Sequence, residues 1–422
     1  MRTVVWGINY APEITGIAPH NVALCEFLRG SGHEVEMVTT FAYYPAWRKT
    51  SGDRHQLFRT DRINGVPVHR CWHFVPRRVS AWKRIIHEGT FVLTSTIRLL
   101  SIERPDVYVV VSPPLLLGAA ASLVSKLKRA PSIFHVQDLQ PDAALGLGML
   151  KPSPLTRALY WLEAFAYQHA SCVSGISPEI LDAFRQKGVP ESKLILFPNT
   201  IVLPNEQEIP PRGRFRVKHG FGPNEFLAVY AGNLGIKQGL NLLLETAQLL
   251  RADKNIRIVI AGDGAARESL ENEMQAASLT NVSMLPLQFG ADYKELLVDA
   301  DVSLITQQSG SGNAFFPSKL LVTLAYSSPV ITVADERSAL ERVVADGRFG
   351  KNIAPGKPEW LANALRGLAQ DRQQLSEWGR AGRAYVERFE QGKVLARFTD
   401  ELTGLVSKRC VAETGADRLC GK

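Results

Sequence analysis

Four short stretches of this chain carry the residue types needed to hold a phosphate-bearing ligand: residues 9–19 (NYAPEITGIAP), 230–240 (YAGNLGIKQGL), 260–270 (IAGDGAARESL) and 315–321 (FFPSKLL). They lie at strand-to-helix turns, where free N–H groups and helix dipoles gather at one sheet edge and favour anions. In the second stretch, Gly232 and Gly235 let backbone approach a phosphate closely, with Asn233 between them, and Lys237 supplies a cation at a helix start. In the fourth, Pro317 suits a first helical position, Ser318 can cap the helix or bond a phosphate, and Lys319 falls in the first turn. A cation there opposes the helix dipole, and an anion beside it would resolve the conflict. The first stretch offers Gly16. In the third, Gly262 and Gly264 form G-x-G, but Arg267 stands where the dinucleotide fingerprint needs its third glycine, which argues against a nicotinamide enzyme.

A second group of candidates is His135 and Asp138 in FHVQDLQPD, at the end of an apolar run. Imidazole and carboxylate at a strand end can move protons or steady developing charge. A core histidine, and an aspartate capping the following PDAALGLGML, are equally open readings. Asp299-Ala300-Asp301 spells the D-x-D of metal-dependent transferases. It falls at a helix-to-strand junction, so a turn carboxylate and a strand-start carboxylate are expected rather than a metal site. The nine histidines include no His-x-x-x-His pair on a helix, and no metal is expected.

The elements that must position these residues follow from periodicity. Apolar runs at 4–9, 35–40, 107–111, 132–137, 170–177 and 193–199 alternate with helical periods at about 18–31 and 82–100, and residues between 40 and 82 read as a long loop. Residues 200–224 hold four prolines without a sustained apolar period and read as a connection. A second series follows, with strands at 226–232, 256–262, 281–287, 302–307 and 329–334 and helices near 239–251, 265–278, 292–299, 317–327 and 358–370. The fold class is α/β: two doubly wound Rossmann-like domains facing across a cleft, 1–200 and 201–385, with 386–422 a helix crossing back to the first domain plus a tail. A length of 422 residues, 45% hydrophobic and 21% charged, suits two such cores. Five cysteines without a Cys-x-x-Cys pair fit a reducing, cytoplasmic setting, and the opening MRTVVWGIN lacks the pattern of a secretory signal.

The succession NYAPEITGIA, FHVQDLQPD, LFPNT, YAGNLGIKQGL, IAGDG and FPSKLLVTLAYSSPVI resembles a family-4 retaining glycosyltransferase of the GT-B fold, over residues 2 to 390. Within that family, GINYAPE, TGI, YYPAW and GNLG-x-KQGL look most like colanic-acid-type exopolysaccharide transferases. The resemblance implies transfer of a sugar from a nucleotide-diphosphate donor, with retention and with neither metal nor cofactor. It implies that the Gly16 loop approaches donor phosphates or acceptor, and that Lys237 and Lys319 neutralise the diphosphate. His135 would bond a donor sugar hydroxyl, and Asp138 would orient the acceptor or act on its proton. There are departures. Asn233 stands where many relatives carry arginine, and Gln238 where many carry the lysine. Ala314 and Val322 replace a pair of glutamates, so sugar choice cannot be transferred from relatives that keep them.

Charge is uneven. Between Arg48 and Arg104 there are twelve Lys or Arg against four Asp or Glu, which gives this window alone the +8 of the whole chain. Arg77, Arg78, Lys83 and Arg84 flank an amphipathic helix opening at Trp82, the pattern of a helix that lies on an anionic membrane. The family likeness adds a polyprenyl-diphosphate-linked glycan as acceptor, at the inner face of the cytoplasmic membrane. Two alternatives are a GT-B-type nucleotide-sugar epimerase and a basic nucleic-acid-binding protein. The window holds Trp72, Phe74 and Trp82 but no nucleic-acid module, so no nucleic-acid partner is expected.

Overall fold

A computed structural model describes residues 1–14, 16–44, 46–77, 80–146, 153–310 and 319–419. The first apolar run forms β1 (Arg2–Trp6), followed by α1 (Ala18–Gly30), β2 (Glu34–Thr40), β3 (Phe58–Ile63), β4 (Val66–Cys71), α2 (Ala81–Ser101) and β5 (Val107–Ser112). Then come α3 (Leu116–Lys128), β6 (Ser132–Val136), α4 (Gln140–Gly146), α5 (Pro154–His169), β7 (Cys172–Gly175), α6 (Pro178–Gln186) and β8 (Leu194–Leu196). These strands make one sheet in the order β3-β4-β2-β1-β5-β6-β7-β8. Every pairing is parallel except β3 with β4. All six residues of β5 are buried, as a strand covered on both faces requires.

The stretch expected as a long loop contains the β3–β4 hairpin. Its turn is Asn64-Gly65, both at positive φ (48° and 80°), the conformation that a two-residue hairpin turn demands. β3, FRTDRI, is half-solvated and charged, which suits a sheet edge but hides a strand from apolar periodicity.

The second unit opens with α7 (Arg214–His219), inside the stretch expected as a plain connection, followed by β9 (Phe226–Asn233), α8 (Asn241–Leu249), β10 (Ile256–Asp263), α9 (Arg267–Ala276) and β11 (Val282–Leu285). Next are α10 (Gly290–Asp299), β12 (Val302–Thr306), α11 (Lys319–Ala325), β13 (Val330–Val333), α12 (Ala339–Gly347), β14 (Gly350–Ile353), α13 (Pro358–Gln370) and α14 (Arg372–Val386). Its sheet runs β11-β10-β9-β12-β13-β14, parallel throughout. Short β14, GKNI, and helices α12 and α14 lie outside the elements expected from periodicity.

The last helix is α15 (Gln391–Leu419). The chain divides into Met1–Asn199 with Gln391–Lys422, and Thr200–Glu390, so α15 belongs to the first unit. Val394, Leu395, Phe398 and Leu402 enter the core that β1, β2 and β5 share with α1. Phe398 stacks on Phe197, ring centroids 3.8 Å apart and planes within 4°.

α2 is turned in an unusual way. The side facing the protein carries His87, Phe91, Thr94, Ser95 and Leu99, all buried. Trp82, Ile85, Ile86, Leu93, Ile97 and Leu100 face outward, between 41% and 64% exposed.

The α15 anchor gives a direct test. Phe398→Ala removes a buried stacked ring and should cost about 3–5 kcal/mol. Urea unfolding should show a lower midpoint, with the early transition confined to probes in the first unit.

Candidate functional site

In the second unit, β9 and β10 run side by side and end together, Gly262 opposite Gly232 and Asp263 opposite Asn233. A Cβ on Gly262 would lie 2.0 Å from the Gly232 carbonyl oxygen, so no side chain fits. Gly264, at φ 152°, passes so close to Asn233 and Leu234 that a Cβ would meet the Asn233 Oδ1 and the Leu234 oxygen at 2.6 Å. The Leu234 amide donates to the Asp263 oxygen and the Ala266 amide to the Leu234 oxygen, each at 2.8 Å. The glycines of the G-x-G pair therefore lock the two loops to each other. Arg267, in the place of the fingerprint's third glycine, bridges the Gly262 and Leu285 carbonyls at 2.6 and 3.0 Å.

Helices α8 and α9 begin at this edge without a side-chain cap; the Arg267 amide donates to the Gly264 carbonyl at 3.1 Å and the Leu243 amide to that of Leu240 at 2.9 Å. Lys319, the first residue of α11, places its Nζ 3.7 Å from the centre of the Tyr230 ring. It lies beside Gly232, where a Cβ would be 3.8 Å from the Lys319 Cδ. The Tyr230 hydroxyl is held by the Asn233 oxygen at 2.8 Å. Among the described residues no hydrogen-bond or ion-pair partner of Lys319 is found. Burial pulls its ammonium down to about 7, against the attraction of the ring face. Lys237 is exposed on a short 3-10 turn whose carbonyl accepts from the Gln308 amide at 2.8 Å. Gly235 lies within the same turn; a Cβ there would meet Gln238 Oε1 at 2.7 Å. The structure thus brings Gly232, Asn233, Gly235, Lys237, Gly262, Gly264 and Lys319 to one sheet edge. Ser318, with Pro317 and Ala314, lies outside the described residues. Val322 packs beside the Phe215 cluster.

The D-x-D carboxylates are fully engaged away from this edge. Asp299 accepts from the Gly213 and Arg216 amides at 2.5 and 2.9 Å and so caps α7. Asp301 accepts from Arg212, Arg216, Arg372 and the Leu227 amide. Both are buried, and together they tie α7, α10 and α14 to the start of β12.

In the first unit, Gly16 takes φ 65° and lies against Tyr44, 3.7 Å from Cε1 to an ideal Cβ. Glu13, which sequence reasoning quoted but gave no role, is buried. It accepts from Asn9 Nδ2 at 2.7 Å and from the Tyr43 and Tyr44 amides at 2.9 Å each. Burial pushes its carboxyl up, while those three donors pull it back. The signal was an acid inside an otherwise apolar strand-end loop.

His135 is buried one layer beneath the edge, its Nδ1 on Ser174 Oγ and its Nε2 on Gln137 Nε2, both 2.9 Å. Its ring packs on Phe197 with centroids 4.8 Å apart. Burial, aided by the nearby His20, lowers it to about 3, so it is neutral at pH 7. His20, in the first turn of α1 and lowered to about 4 by burial, is a neighbour the sequence did not reveal. Asp138 is half-buried, two residues before α4, and already engaged in an interaction. α4 is anchored by Asp142 to the Tyr160 hydroxyl at 3.0 Å and to Lys187, which also binds buried Glu163 at 2.6 Å.

The basic window is partly spent internally. Arg59 pairs with Asp53 and Asp61, Arg70 with Asp61, and Arg84 with Glu88 at 3.0 Å. Arg77 is exposed, Lys83 lies 5.6 Å over the exposed Trp82 ring, and Arg78 lies outside the described residues.

Residues 15–200 match the family described as a glycosyl transferase 4-like domain, and residues 211–385 that described as glycosyl transferases group 1. The chain is 31% identical over 413 residues to a protein of Escherichia coli strain K12 described as a colanic acid biosynthesis glycosyl transferase, WcaI, covering 96% of this chain and 100% of the relative. A GDP-mannose-dependent alpha-mannosyltransferase of Mycobacterium tuberculosis is 24% identical, covering 89% and 90%. Among solved structures, sucrose-phosphate synthase from Thermosynechococcus elongatus superposes with a TM-score of 0.75 at 16% identity, covering 96% and 99%. HepE of Anabaena in complex with UDP-glucose gives 0.68 at 15%, covering 96% and 100%. Two doubly wound units with these neighbours define the GT-B fold. The chain belongs to the family of 4-like and group 1 glycosyltransferases and is a glycosyltransferase.

Lys319 makes a pH-dependent prediction. Its folded value near 7 means that the amine is largely neutral at pH 8.5, and an anion bound beside it raises that value and takes up a proton. Affinity for a diphosphate should therefore fall as pH rises above 7, by up to about tenfold per unit, since one pKa unit is worth 1.36 kcal/mol. Titration calorimetry with a nucleoside diphosphate in buffers of different ionisation enthalpy should show that uptake. Lys319→Arg should abolish the slope, and equal affinity for wild type at pH 6.5 and 8.5 would contradict this account.

Proposed function

We propose that this enzyme moves a sugar, with retained configuration, from a nucleotide-diphosphate sugar to a polyprenyl-diphosphate-linked glycan in exopolysaccharide or cell-surface polysaccharide synthesis. The observation that carries the proposal is Lys319, poised over Tyr230 beside Gly232 with no partner among the described residues, next to two uncapped helix starts. A leaving nucleoside diphosphate gathers negative charge as the glycosidic bond breaks. Lys319, Lys237 and the positive dipole ends of α8 and α9 are suited to offset it, and no metal or cofactor is needed. The description of the Escherichia coli relative as a colanic acid biosynthesis transferase supports the polysaccharide setting, and the UDP-glucose bound by HepE supports the donor class. On the acceptor side, neutral His135 holds Gln137 and hence the turn that presents Asp138, which orients the acceptor hydroxyl or takes its proton.

A panel of UDP-, GDP- and dTDP-sugars tested for protection against thermal unfolding checks the donor class, since a ligand of the folded state raises stability by mass action. One of them should protect, and none protecting would remove the reading. Lys319→Ala and Lys237→Ala should each lower turnover by about 10²–10³, by analogy with loss of one oxyanion donor, with little change in stability. Turnover should persist in EDTA. His135→Ala and Asp138→Asn should lower turnover more than donor affinity.

We also propose that the first unit rests on the inner face of the cytoplasmic membrane through α2. No helix among the described residues is long and apolar enough to cross a membrane. The outward row of Trp82, Ile86, Leu93, Ile97 and Leu100, with Arg77 and Lys83 beside its opening turns, favours a helix lying in the interface. Each basic residue near anionic lipid contributes on the order of 1 kcal/mol. Co-sedimentation with anionic vesicles should be strong at low salt and weak at high salt, and should fall when Arg77, Arg78, Lys83 and Arg84 become Gln. Unaltered binding by that variant would leave the patch as ordinary solvated surface.

A further inference from the structure

Two stretches that the phosphate chemistry leaves unused, NYAPE and YYPAW, are tied together by a single carboxylate. Glu13 Oε1 accepts from the Tyr43 and Tyr44 amides while Oε2 takes Asn9 Nδ2. Two loops, after β1 and after β2, are thereby clasped at the carboxyl edge of the first sheet. Arg70 supports the clasp from β4, with Nη1 on the Thr40 carbonyl and Nη2 on that of Ala11. Inside the clasp, Tyr43 is buried and packs edge-on to Trp47, His73 and His87, with centroids 5.5, 4.9 and 4.7 Å away. Tyr44 is different. It is 38% exposed and lies beside Gly16, whose positive φ and missing side chain leave the neighbouring space open.

A buried acid that accepts three N–H groups is costly to maintain, and the core packing of Tyr43 alone does not require it. What the clasp does fix is the orientation of Tyr44 at the sheet edge where ligands of such sheets bind. The ring of tyrosine is negative on its face, and the C–H groups on one side of a pyranose are the complementary surface. We infer that Tyr44, held by the Glu13 clasp next to Gly16, is the platform on which a sugar ring of the acceptor lies, and that Glu13 is its positioning residue. This rests on the transferase reading above and assigns part of its acceptor side. The platform accepts any pyranose with a continuous C–H face.

The test uses the full chain and simple probes, methyl α- and β-glycosides of glucose, galactose, mannose and fucose, read by saturation-transfer NMR. Wild type should bind at least one, with transfer strongest to the ring protons of a single face. Tyr44→Phe should retain that binding, and Tyr44→Ala should weaken it by tenfold or more. Glu13→Ala should weaken it although Tyr44 is present, and Glu13→Gln, which keeps an acceptor for both amides, should restore most of it. Protection by the nucleotide sugar should be unchanged in all four variants, which also shows that they fold. No glycoside bound by wild type, or equal binding by Tyr44→Ala, overturns the inference. Glycoside binding without protection by any nucleotide sugar would instead strike the donor reading and leave the platform standing.

Discussion

The contact between the Gly232 carbonyl and Gly262 admits no other residue at position 262, and the carboxyl edge of the second sheet is built around it. With a Cβ only 2.0 Å from that oxygen, any side chain would drive β9 and β10 apart at their ends. Their close approach sets the paired bonds between Leu234 and Asp263 and between Ala266 and Leu234, and these fix where α8 and α9 begin. It also puts Tyr230 and Gly232 side by side under Lys319. A cation at the first position of a helix opposes the dipole and is half-desolvated here, so the place is unfavourable for lysine unless an anion arrives.

The first unit solves a different problem at the corresponding edge. There the cation that lies over aromatic rings, Lys49 at 5.1 Å from the centre of Trp72 and 5.9 Å from that of Phe41, is tied to the His73 carbonyl. Backbone amides are instead gathered by Glu13, and backbone carbonyls by Arg70, which spans Thr40 and Ala11. Charged side chains serve here as bolts between loops, and His135 is likewise consumed in holding Ser174 and Gln137. The same division appears in the second unit, where Asp299 and Asp301 look like metal ligands in sequence and act as anchors for α7 and α14. A carboxylate's neighbours, and not its spacing, decide which role it takes.

Much of the fold was legible because its buried strands are continuous apolar runs and its helices have a clear period. β5 and β9 are examples. What escaped was short or half-solvated: β14 has four residues, and β3 alternates charges at an edge. The Asn64-Gly65 turn was a readable hairpin signal in a stretch dominated by charge. At the site, the glycines and lysines were legible as types, but the partner of each was not. Gly262 and Gly264 were legible as a G-x-G pair, but not the close approach of the neighbouring loop that they permit. Tyr230 and His20 carry no local signal, because their roles arise from elements far away in the chain that folding brings beside them.

The orientation of α2 shows why periodicity alone cannot say which face of a helix is the inner one. Segment 72–77 follows β4 without a strand partner, so its backbone groups need acceptors and donors from elsewhere. α2 provides them. Thr94 donates to the Trp72 carbonyl at 2.6 Å, Thr90 accepts from the Phe74 amide at 2.9 Å, and the His87 ring meets the Phe74 carbonyl at 2.6 Å. Ser95 accepts from the Trp6 indole at 3.0 Å. Leaving such groups unpaired in the interior would cost about 1–3 kcal/mol each, comparable to burying one large apolar side chain. These polar partners, with Phe91 and Leu99 buried on the same side, belong to the inward face, and the apolar row turns outward. The apolar face exposed from Trp82 to Leu100 is therefore set by what lies beneath the helix, and not by the helix's own period.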